Sequence, residues 1–322
     1  MATVHCIGAL VVDALSGPLR EYPVPRAKPQ INTSSVQFLP GGGAANTGSA
    51  LAQIGIATKI FSKVGGDING VFLRQKLAAQ GVDVTHVRVS PKETTPFTFV
   101  GIHPNGDRSF IHTPGTNLTF SKRDLALPEL CRCRFLLYQD MWVLPQLDGP
   151  AAPRILATAQ KRGVTTLLDE CYGLGPDRRT LEEALPFCDV ILPSYDDLSG
   201  IYPGLKPAEV ARKLMAKGAQ RVVLKLGPRG CLVAARDEMS LVPSIANTIV
   251  DGTGAGDCFN AGFIAGLAHG LSDLAAARIG AAAAAACLRQ VGGAVGIPKY
   301  KFLLRVSDRL NGIHRRGRRL AT

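Results

Sequence analysis

Tryptophan, paired cysteines and long uncharged runs are all scarce in this sequence of 322 residues. There is one Trp, and the eight cysteines form no CxxC pair and no His–Cys cluster at zinc spacing. We therefore predict neither a disulfide nor a structural metal. The longest uncharged run near the C-terminus, 258–271, is too short to span a bilayer, and the first fifteen residues carry no basic leader. These absences argue against membrane insertion and secretion, and they predict a cytoplasmic protein.

Acidic residues are outnumbered, with 25 Asp and Glu against 37 Lys and Arg, so the formal net charge is +12. This balance favours anionic partners such as phosphorylated metabolites, nucleotides, nucleic acid or a membrane surface, without choosing among them. The Arg-rich tail at 315–319 is accompanied by no motif that reads DNA or RNA, so we expect no nucleic-acid function. Apolar residues make up 46% of the chain, which excludes a disordered protein.

Three common nucleotide-binding or catalytic motifs are also missing. No GxxxxGK[ST] sequence occurs, which excludes a Walker-type phosphate loop, and no GxSxG occurs, which leaves serine-hydrolase chemistry without its nucleophile turn. Gly252 and Gly254 begin a GxG pattern, but Asp257 stands where a dinucleotide-binding loop needs its third glycine. A phosphate site in this chain would have to be built in another way.

Short apolar runs alternate with helical segments over much of the chain. The later strands are predicted at 135–138, 165–169, 190–192, 221–226 and 230–235. Helical patterns between the first four of these strands indicate parallel βαβ units. The opening run, 4–12, is continuously apolar and predicts a single buried strand.

Two early β-rich insertions, at 14–39 and 94–113, interrupt this rhythm. The second contains His-Pro-Asn-Gly-Asp at 103–107, a composition that predicts a hairpin turn. We predict that the insertions form a separate small sheet. The remainder is predicted to be one α/β domain, so that residues 1–322 form a single unit with this sheet as an appendage.

The most informative segment is the late glycine-rich turn at 251–257, which reads DGTGAGD and leads into a helix. Its alternating glycines let backbone N–H groups face a concavity without obstruction by Cβ atoms. A helix start adds free N–H donors and the positive end of a dipole, so the turn favours a phosphate. Asp257 beside it would accept a proton from an attacking hydroxyl; the alternative is that Asp257 only caps the helix.

A second glycine cluster, at 41–43, precedes a helix that carries Asn46 in its first turns. Bare backbone allows close approach of a polar ligand, and the Asn carboxamide offers both a donor and an acceptor to hydroxyl groups. Asp13, just past the first strand, could accept hydrogen bonds from two sugar hydroxyls in the same mouth. Taken alone, each feature is better explained as an ordinary loop or turn.

Together these segments resemble the PfkB carbohydrate kinases, the ribokinase-like family. One family signature, two glycines followed by an Asn at the start of a helix, is matched at 42–46. The signature D-T-x-G-A-G-D is matched at 251–257 except that Gly252 stands in place of its Thr. Intermediate landmarks occur in family order at 63–67, 110–115 and 223–227. The resemblance covers roughly residues 4–298.

The resemblance implies a three-layer α/β/α sandwich with a mainly parallel central sheet and a small β-sheet lid, through which many members pair as homodimers. It implies an ATP-dependent phosphotransferase that acts on a hydroxyl of a sugar or sugar-like substrate. Such kinases need Mg²⁺, and many also use a monovalent cation such as K⁺. Lid closure would exclude water, so that the sugar hydroxyl is phosphorylated in preference to hydrolysis.

The resemblance also assigns roles to residues. Asp257 would be the general base, and the backbone of Gly254, Ala255 and Gly256 would form the anion hole. The substrate would be held by Asp13, Gly42, Gly43 and Asn46. The nucleotide would be bordered by Ser194, Lys225, Gly227, Gly230, Gly254 and Gly292. Asp197 would contact Mg²⁺, and Asp251 would lie at the monovalent cation.

Some positions depart from the family pattern. Ser194 and Asp197 stand where the family often has the Asn and Glu of Asn-x-x-Glu, so the carboxylate is one methylene shorter. Lys225 stands where Thr is frequent, and it would either add charge near a phosphate or point to solvent. Arg108 and His112, in the predicted lid hairpin, would contact substrate or remain solvated.

Two other functions stay open at this point. A nucleoside kinase would use the same fold and would need aromatic residues in the lid, for which Phe97, Phe99 and Phe110 are candidates. A non-catalytic sugar- or nucleotide-binding regulator is the alternative outside enzymes. The intact Asp257 and the glycines of the late turn argue against it.

Overall fold

The computed structural model describes residues 4–19, 30, 32–103, 108–173, 175–236 and 238–308. The predicted hairpin turn at 103–107 and much of the first insertion therefore lie largely outside the described residues, and the Arg-rich tail does so entirely.

The elements follow one another along the chain in an order dominated by strand–helix alternation. In chain order they are β1 (Val4–Ile7), β2 (Val11–Pro18), β3 (Val36–Gly41), α1 (Gly43–Ile54), β4 (Thr58–Gly65), α2 (Ile68–Ala79), β5 (Asp83–Ser90), β6 (Phe97–Ile102), β7 (Arg108–Thr113), α3 (Leu127–Leu130), β8 (Phe135–Met141), α4 (Ala151–Gln160), β9 (Thr165–Glu170), α5 (Arg178–Ala184), β10 (Val190–Ile191), α6 (Tyr195–Ser199), α7 (Pro207–Ala216), β11 (Arg221–Lys225), β12 (Cys231–Ala235), β13 (Glu238–Val242), α8 (Ala255–Ala268) and α9 (Asp273–Cys287). A further helical segment covers 300–308.

The central sheet has nine strands in the order β13-β12-β11-β10-β9-β8-β1-β4-β5. All neighbours from β5 to β11 are parallel, and β12 and β13 add an antiparallel edge. The mainly parallel sheet predicted from the alternation is confirmed. Its inner strands are continuous apolar runs because helices cover both faces.

Helices cover the two faces of the sheet in separate layers. Leu137 of β8 belongs to a buried cluster with residues of α1, α2, α8 and α9. Its neighbours Leu136 and Tyr138 belong to a second cluster with residues of α4, α5 and α7. Successive strand residues point to opposite faces, so the two clusters lie on opposite sides of the sheet. The predicted three-layer α/β/α sandwich is confirmed.

The last two helices pack against each other at short range. A Cβ atom at Gly262 would lie 2.7 Å from the carbonyl oxygen of Ile279, and one at Gly266 would lie 2.7 Å from Cα of Ala276. Small residues are therefore required where α8 and α9 cross. Among the described helices, none is long and apolar enough to cross a bilayer.

A separate four-stranded sheet, which we call the lid, has the order β3-β2-β6-β7. The pair β2–β6 is parallel and the other two pairs are antiparallel. The small sheet predicted from the two insertions is confirmed.

The prediction of one strand over 4–12 is wrong. β1 lies in the central sheet and β2 in the lid, and the chain turns between them because Gly8 and Ala9 meet Asp140. A Cβ atom at Gly8 would lie 2.6 Å from Asp140 Oδ2, and the Ala9 amide donates to that oxygen at 2.8 Å. Continuous apolar composition gave no sign of this turn.

The order of the central sheet places a crevice at the carboxyl end of β1. β1 lies between β8 and β4, so the chain winds away from it in both directions. In open α/β sheets, ligands bind outside the carboxyl ends of the strands at such a switch point. Polar residues end β8 and β9 at the same edge, and Lys225 ends β11 there.

Candidate active site

Asp257 is the third residue of α8, and its carboxylate is held by two side-chain amides. Asn46 Nδ2 donates to Oδ2 at 2.9 Å, and Gln139 Nε2 donates to Oδ1 at 2.6 Å. The N-cap of α8 is Gly254, with φ of 70° and no side-chain capping bond. The carboxylate is thus directed to residues of α1 and β8, and the alternative role of Asp257 as the helix cap is wrong.

The environment of Asp257 disfavours its ionised form. Burial raises the pKa of Asp257 to about 8, and the negative charges of Asp140 and Asp169 act in the same direction. The hydrogen bond from Asn46 and the charge of Lys225 oppose this shift. A carboxyl group with a pKa near neutrality is suited to take up and release a proton.

The turn before α8 leaves backbone donors available. The Ala255 amide makes a long bond of 3.4 Å to the Gly252 carbonyl. Within the described part of the chain, the amides of Gly256 and Asp257 make no backbone hydrogen bond. Gly254 adopts a left-handed conformation, and a Cβ atom there would lie 2.8 Å from Cα of Gly293. The turn is therefore open toward the crevice and closed behind.

The turn before α1 binds a carboxylate of the protein itself. Its N-cap is Gly42, with φ of 86°, and the amides of Gly43 and Ala44 donate to Asp140 Oδ1 and Oδ2 at 3.0 and 3.2 Å. Asp140 is itself left-handed, with φ of 62°, which turns its buried carboxylate toward α1. Burial raises the pKa of Asp140 to about 7, while these amides oppose the shift.

Asp13 and Arg108 both come from the lid but have different partners. Asp13 faces the crevice, and burial raises its pKa to about 6, against a hydrogen bond from Thr98 and the charge of Arg108. The guanidinium of Arg108 contacts the carboxylate of Asp251 and the hydroxyl of Thr253, which ties β7 to the late glycine turn. Nδ1 of His112 lies 2.9 Å from the Thr98 hydroxyl.

Two adjoining cavities converge on the late glycine turn. A polar cavity of about 470 Å³ is lined by Asp13, Gly42, Gly43, Asn46, Asp197 and Asp257, among others. A narrower cavity of about 240 Å³ is lined mainly by apolar residues, including Pro228, Ile249, Phe259, Ala281 and Leu288. Lys225, Gly227, Ala255 and Gly256 line both. The start of α8 therefore forms the boundary between a polar and an apolar compartment.

Lys225 supplies a positive charge at this boundary. Its Nζ donates to Asp169 Oδ1 at 2.8 Å, and a Cβ atom at Gly256 would lie 3.5 Å from it. Burial opposes the charge, but Asp169 and Glu170 outweigh it and raise the pKa of Lys225. The side chain is 15% exposed, so the alternative in which it points to solvent is wrong.

Carboxylates collect on the other side of Lys225. Glu170 Oε1 accepts from the Ser194 amide at 2.7 Å, and within the described residues its buried Oε2 has no hydrogen-bond partner. Asp197 lies against Glu170, and burial raises the pKa of both carboxyl groups. The described residues contain no group of three His, Cys, Asp or Glu side chains arranged to hold a metal. Two carboxylates that line the polar cavity nevertheless suit Mg²⁺, which binds few protein ligands and keeps several waters.

The predicted nucleotide residues do not all lie together. Gly227 and Gly230 line the apolar cavity, and Ser194 lines the polar one. The Gly292 amide instead donates to Asp251 Oδ2 at 2.8 Å, and the Thr253 amide donates to Oδ1 at 2.6 Å. These bonds outweigh burial and lower the pKa of Asp251.

Sequence reasoning missed the buried polar residues behind the site. They are Gln139, Asp140, Asp169, Glu170 and Asn260. Asn260 Nδ2 donates to Asp169 Oδ2 at 2.5 Å, which fixes the partner of Lys225. Four of the five end the apolar runs of β8 and β9, so the carboxyl ends of predicted parallel strands were the available signal.

The chain matches known proteins over most of its length. Residues 1–300 match the profile of the pfkB family of carbohydrate kinases. A ribokinase of Haemophilus influenzae is 28% identical over 270 residues, which covers 81% of this chain and 85% of that protein. An ATP-dependent 6-phosphofructokinase of Thermoanaerobacterium thermosaccharolyticum is 28% identical over 275 residues, covering 83% and 84%.

The fold is also similar to that of a solved kinase. The structure of Arabidopsis thaliana ribokinase complexed with ribose and ATP superimposes with a TM-score of 0.82 at 25% identity, covering 95% of this chain and 99% of that one. The family match spans the lid, both glycine turns and the crevice that they border. By sequence, by fold and by the arrangement of its crevice, the chain belongs to the pfkB family of carbohydrate kinases.

Proposed function

We propose that this protein transfers the γ-phosphoryl group of ATP to a hydroxyl of a sugar, with Asp257 as the general base. The observation that carries the proposal is that the Asp257 carboxylate and the open start of α8 line the same polar cavity. A base and an anion receptor side by side are the two elements that transfer to an alcohol requires.

Asp257 would take the proton of the attacking hydroxyl. Asn46 and Gln139 fix both of its oxygens, so the carboxylate is held in one orientation before the sugar arrives. The raised pKa of about 8 gives the conjugate acid a strength suited to proton transfer near neutral pH.

The start of α8 would stabilise the transferring group. Within the described residues, the amides of Gly254, Gly256 and Asp257 make no backbone hydrogen bond and are its available donors, and the Ala255 amide makes only a long one. Lys225, which borders both cavities, would place its ammonium against the moving phosphoryl group. Preorganised donors of this kind act on charge that develops in the transition state.

The apolar cavity would hold the nucleoside part of ATP, with Gly227 and Gly230 at its border. Phe259, Ile249 and Leu288 offer apolar surface for a base. Asp197 and Glu170 would hold Mg²⁺ together with the phosphates, and the unpartnered Oε2 of Glu170 supports this placement. The ion would neutralise charge on the phosphates. Gly292 would act indirectly, because its amide orients Asp251.

The polar cavity would hold the sugar, with Asp13 and Asn46 as its hydrogen-bonding partners and with Gly42 and Gly43 as part of the wall, since the Gly43 amide already donates to Asp140. Carboxylates and an amide are suited to the hydroxyl groups of a neutral sugar. The relatives include kinases of ribose and of a phosphorylated fructose, so both kinds of acceptor need testing. A nucleoside acceptor has less support, because the described residues that line the polar cavity include no aromatic ring.

The monovalent cation predicted beside Asp251 competes with Arg108 for the same carboxylate. Faster turnover in KCl than in an equal concentration of choline chloride would support the cation. Equal rates in both salts would favour Arg108 as the partner that neutralises Asp251, and Arg108 would then act on the substrate only through closure of the lid.

The exposed apolar side chains of the lid support a homodimer that would form through this sheet. Ala14 pairs with Phe38 on one side and with Phe99 on the other, and Phe99 pairs with Ile111. Phe38 of β3 and Ile111 of β7 therefore share one face of the lid. They are 53% and 59% exposed. The mass in solution, measured by light scattering for the wild type and for Phe38→Asp, tests whether a second copy covers this face.

The catalytic proposal is tested with purified protein, ATP and Mg²⁺ over a panel of pentoses, hexoses, keto-deoxy sugar acids, sugar phosphates and nucleosides, by ADP release. For the accepted sugar, Asp257→Asn should lower kcat by about 10²- to 10⁴-fold, because only proton transfer is removed. Substrate binding, followed by thermal shift, should persist. Near-normal turnover of Asp257→Asn would exclude this base, and binding without turnover by the wild type would favour a regulator.

A further inference from the structure

Gln139 lies next to the candidate base but had no role in the sequence-based assignment. It precedes Asp140 near the end of β8 and is 1% exposed. Its Nε2 lies 2.6 Å from Asp257 Oδ1, which is the shorter of the two amide contacts to that carboxylate. We propose that Gln139 is a positioning residue that holds Asp257 in its ionised, hydroxyl-facing state by donating a hydrogen bond to Oδ1. This inference rests on the proposed role of Asp257 as the base.

The orientation of the Gln139 amide follows from the charge of its partner. With Nε2 toward Asp257, the other end of the amide, Oε1, is buried and has no hydrogen-bond partner within the described residues. The reverse orientation would place two acceptor oxygens against each other whenever Asp257 is ionised. A buried carbonyl without a partner is unfavourable, so the bond to the carboxylate must compensate for it. With Nε2 toward Asp257, the amide therefore favours the ionised form of the base.

Space for this contact depends on the first glycine turn. A Cβ atom at Gly43 would lie 2.7 Å from Gln139 Nε2 and 2.4 Å from Asp140 Oδ1. Glycine at this position thus lets β8 direct two neighbouring side chains past the start of α1. Asp140 reaches the amides of α1, and Gln139 passes on to α8.

The two amides that hold Asp257 have different surroundings. Asn46 lines the polar cavity, where a sugar can compete for its donors. Gln139 is buried at the end of β8 and is tied to the central sheet. When Asn46 turns to substrate, Gln139 is therefore the contact that continues to orient the base.

Charged groups face Asp257 from several elements. Asp140 of β8 and Asp169 of β9 disfavour its ionised form, whereas Lys225 of β11 favours it. Burial raises the pKa of the Cys171 thiol, and the contact with Cys287 together with burial raises that of the Cys258 thiol; the charge of Asp257 acts in the same direction on both. With burial and two like charges against one opposite charge, the amide bonds counter part of the rise in the pKa of Asp257.

The test replaces Gln139 by Met, which keeps the length of the side chain and removes the donor. The pH dependence of kcat/KM reports the free enzyme's base, and activity is lost as the pH falls through its pKa. We expect the acid limb of the kcat/KM profile to move upward by about one pH unit in Gln139→Met. Below that limb kcat/KM should fall about tenfold, and at high pH it should be unchanged. ATP, Mg²⁺ and either D-ribose or D-fructose are the probes, and Tyr138→Phe, on the same strand but bonded to Asp148, is the matched control.

The outcomes separate this inference from the proposed function. An equal loss of activity at every pH, or an acid limb that does not move, would overturn the role of Gln139. An inactive Asp257→Asn variant would still support Asp257 as the base. If Asp257→Asn stayed active, the proposed base itself would be wrong.

A second measurement needs no turnover. In protein labelled with ¹³C at the aspartate carboxyl groups, the Asp257 signal is the one that Asp257→Asn lacks. Its titration midpoint should move upward by about one unit in Gln139→Met and stay in place in Tyr138→Phe. An unchanged midpoint in Gln139→Met would contradict the proposal whatever sugar the enzyme accepts.

Discussion

The two glycine-rich turns both begin helices, but the first is filled by a carboxylate of the protein and the second is open. The turn before α1 and the turn before α8 both have a glycine with positive φ at the N-cap and no side-chain cap. In the first, the carboxylate of Asp140 accepts the leading amides of the helix. In the second, the amides of Gly256 and Asp257 have no backbone acceptor within the described residues.

This difference shows that a helix start becomes an anion site only where the protein leaves it without an internal anion. Asp140 makes the first turn a structural joint between α1, β1 and β8. The second turn keeps its donors for a group from outside, and it faces a cavity that is shared with the candidate base. Glycine content alone would have given both turns the same role.

The largest effect should come from distorting the open turn. In Gly254→Ala, the alanine would have to adopt the left-handed conformation of Gly254, which is unfavourable for a residue with a Cβ atom. The new Cβ would also lie 2.8 Å from the backbone of Gly293. We expect kcat to fall by about 10²- to 10³-fold, the cost of misplacing an anion-hole donor. Gly252→Ala is the matched control, because a Cβ there meets no atom within 4 Å. Similar activities of the two variants would show that the shape of the turn is not important.

Removing the internal anion of the closed turn should act on stability. Asp140→Ala leaves the amides of Ala9, Gly43 and Ala44 without their acceptor, and we expect a loss of about 3 kcal/mol in the free energy of unfolding. Urea unfolding measures it. Ser272→Ala, which removes the N-cap of α9, should lose only about 1 kcal/mol. Equal losses in the two variants would show that Asp140 stabilises the fold no more than an ordinary helix cap does.

A smaller effect is expected from the charge at the boundary of the two cavities. Lys225→Thr should lower kcat/KM for ATP by about tenfold, since one hydrogen bond to a charged phosphate is lost. Initial rates at fixed sugar and varied ATP measure this change. A rise confined to KM for the sugar would show that Lys225 contacts the sugar rather than ATP.

The smallest effect concerns stability and pH. Burial raises the pKa values of Asp13 and Asp140 to about 6 and 7, and that of Asp257 to about 8. Folding therefore favours their protonated forms. This contribution is complete below about pH 4 and is lost as the pH rises through 6 to 8.

Urea unfolding of the wild type should accordingly give a lower free energy at pH 8.5 than at pH 5.5. Asp257→Asn should flatten this slope and, at pH 8.5, should be about 1 kcal/mol more stable than the wild type although it is inactive. A steeper slope in Asp257→Asn would mean that the carboxylate stabilises the fold.

Local patterns were sufficient for much of the architecture. Apolar runs bounded by helical segments predicted β8, β9, β10, β11 and β12 at nearly their observed positions. The two insertions predicted the lid. The pattern failed at 4–12, where the turn at Gly8 depends on Asp140, a residue more than a hundred positions away. It also left β5 unassigned, because its polar alternation has no strong apolar signal.

The candidate site was predictable where a motif is contiguous and hidden where it is not. The DGTGAGD turn identifies Asp257 and its glycines, and the first glycine cluster identifies Asn46. Gln139 and Asp140 belong to no recognisable motif, and their roles arise from the left-handed backbone at Asp140. That conformation directs adjacent side chains to different helices, and nothing in the neighbouring sequence requires it.

The bond between Asn46 and Asp257 joins residues that are 211 positions apart in the chain. During synthesis, the first glycine turn leaves the ribosome long before the acid group that it will face. A nascent polypeptide has neither the acid nor the late turn until α8 has been synthesised. The two halves of the candidate site therefore come together only when most of the chain is complete.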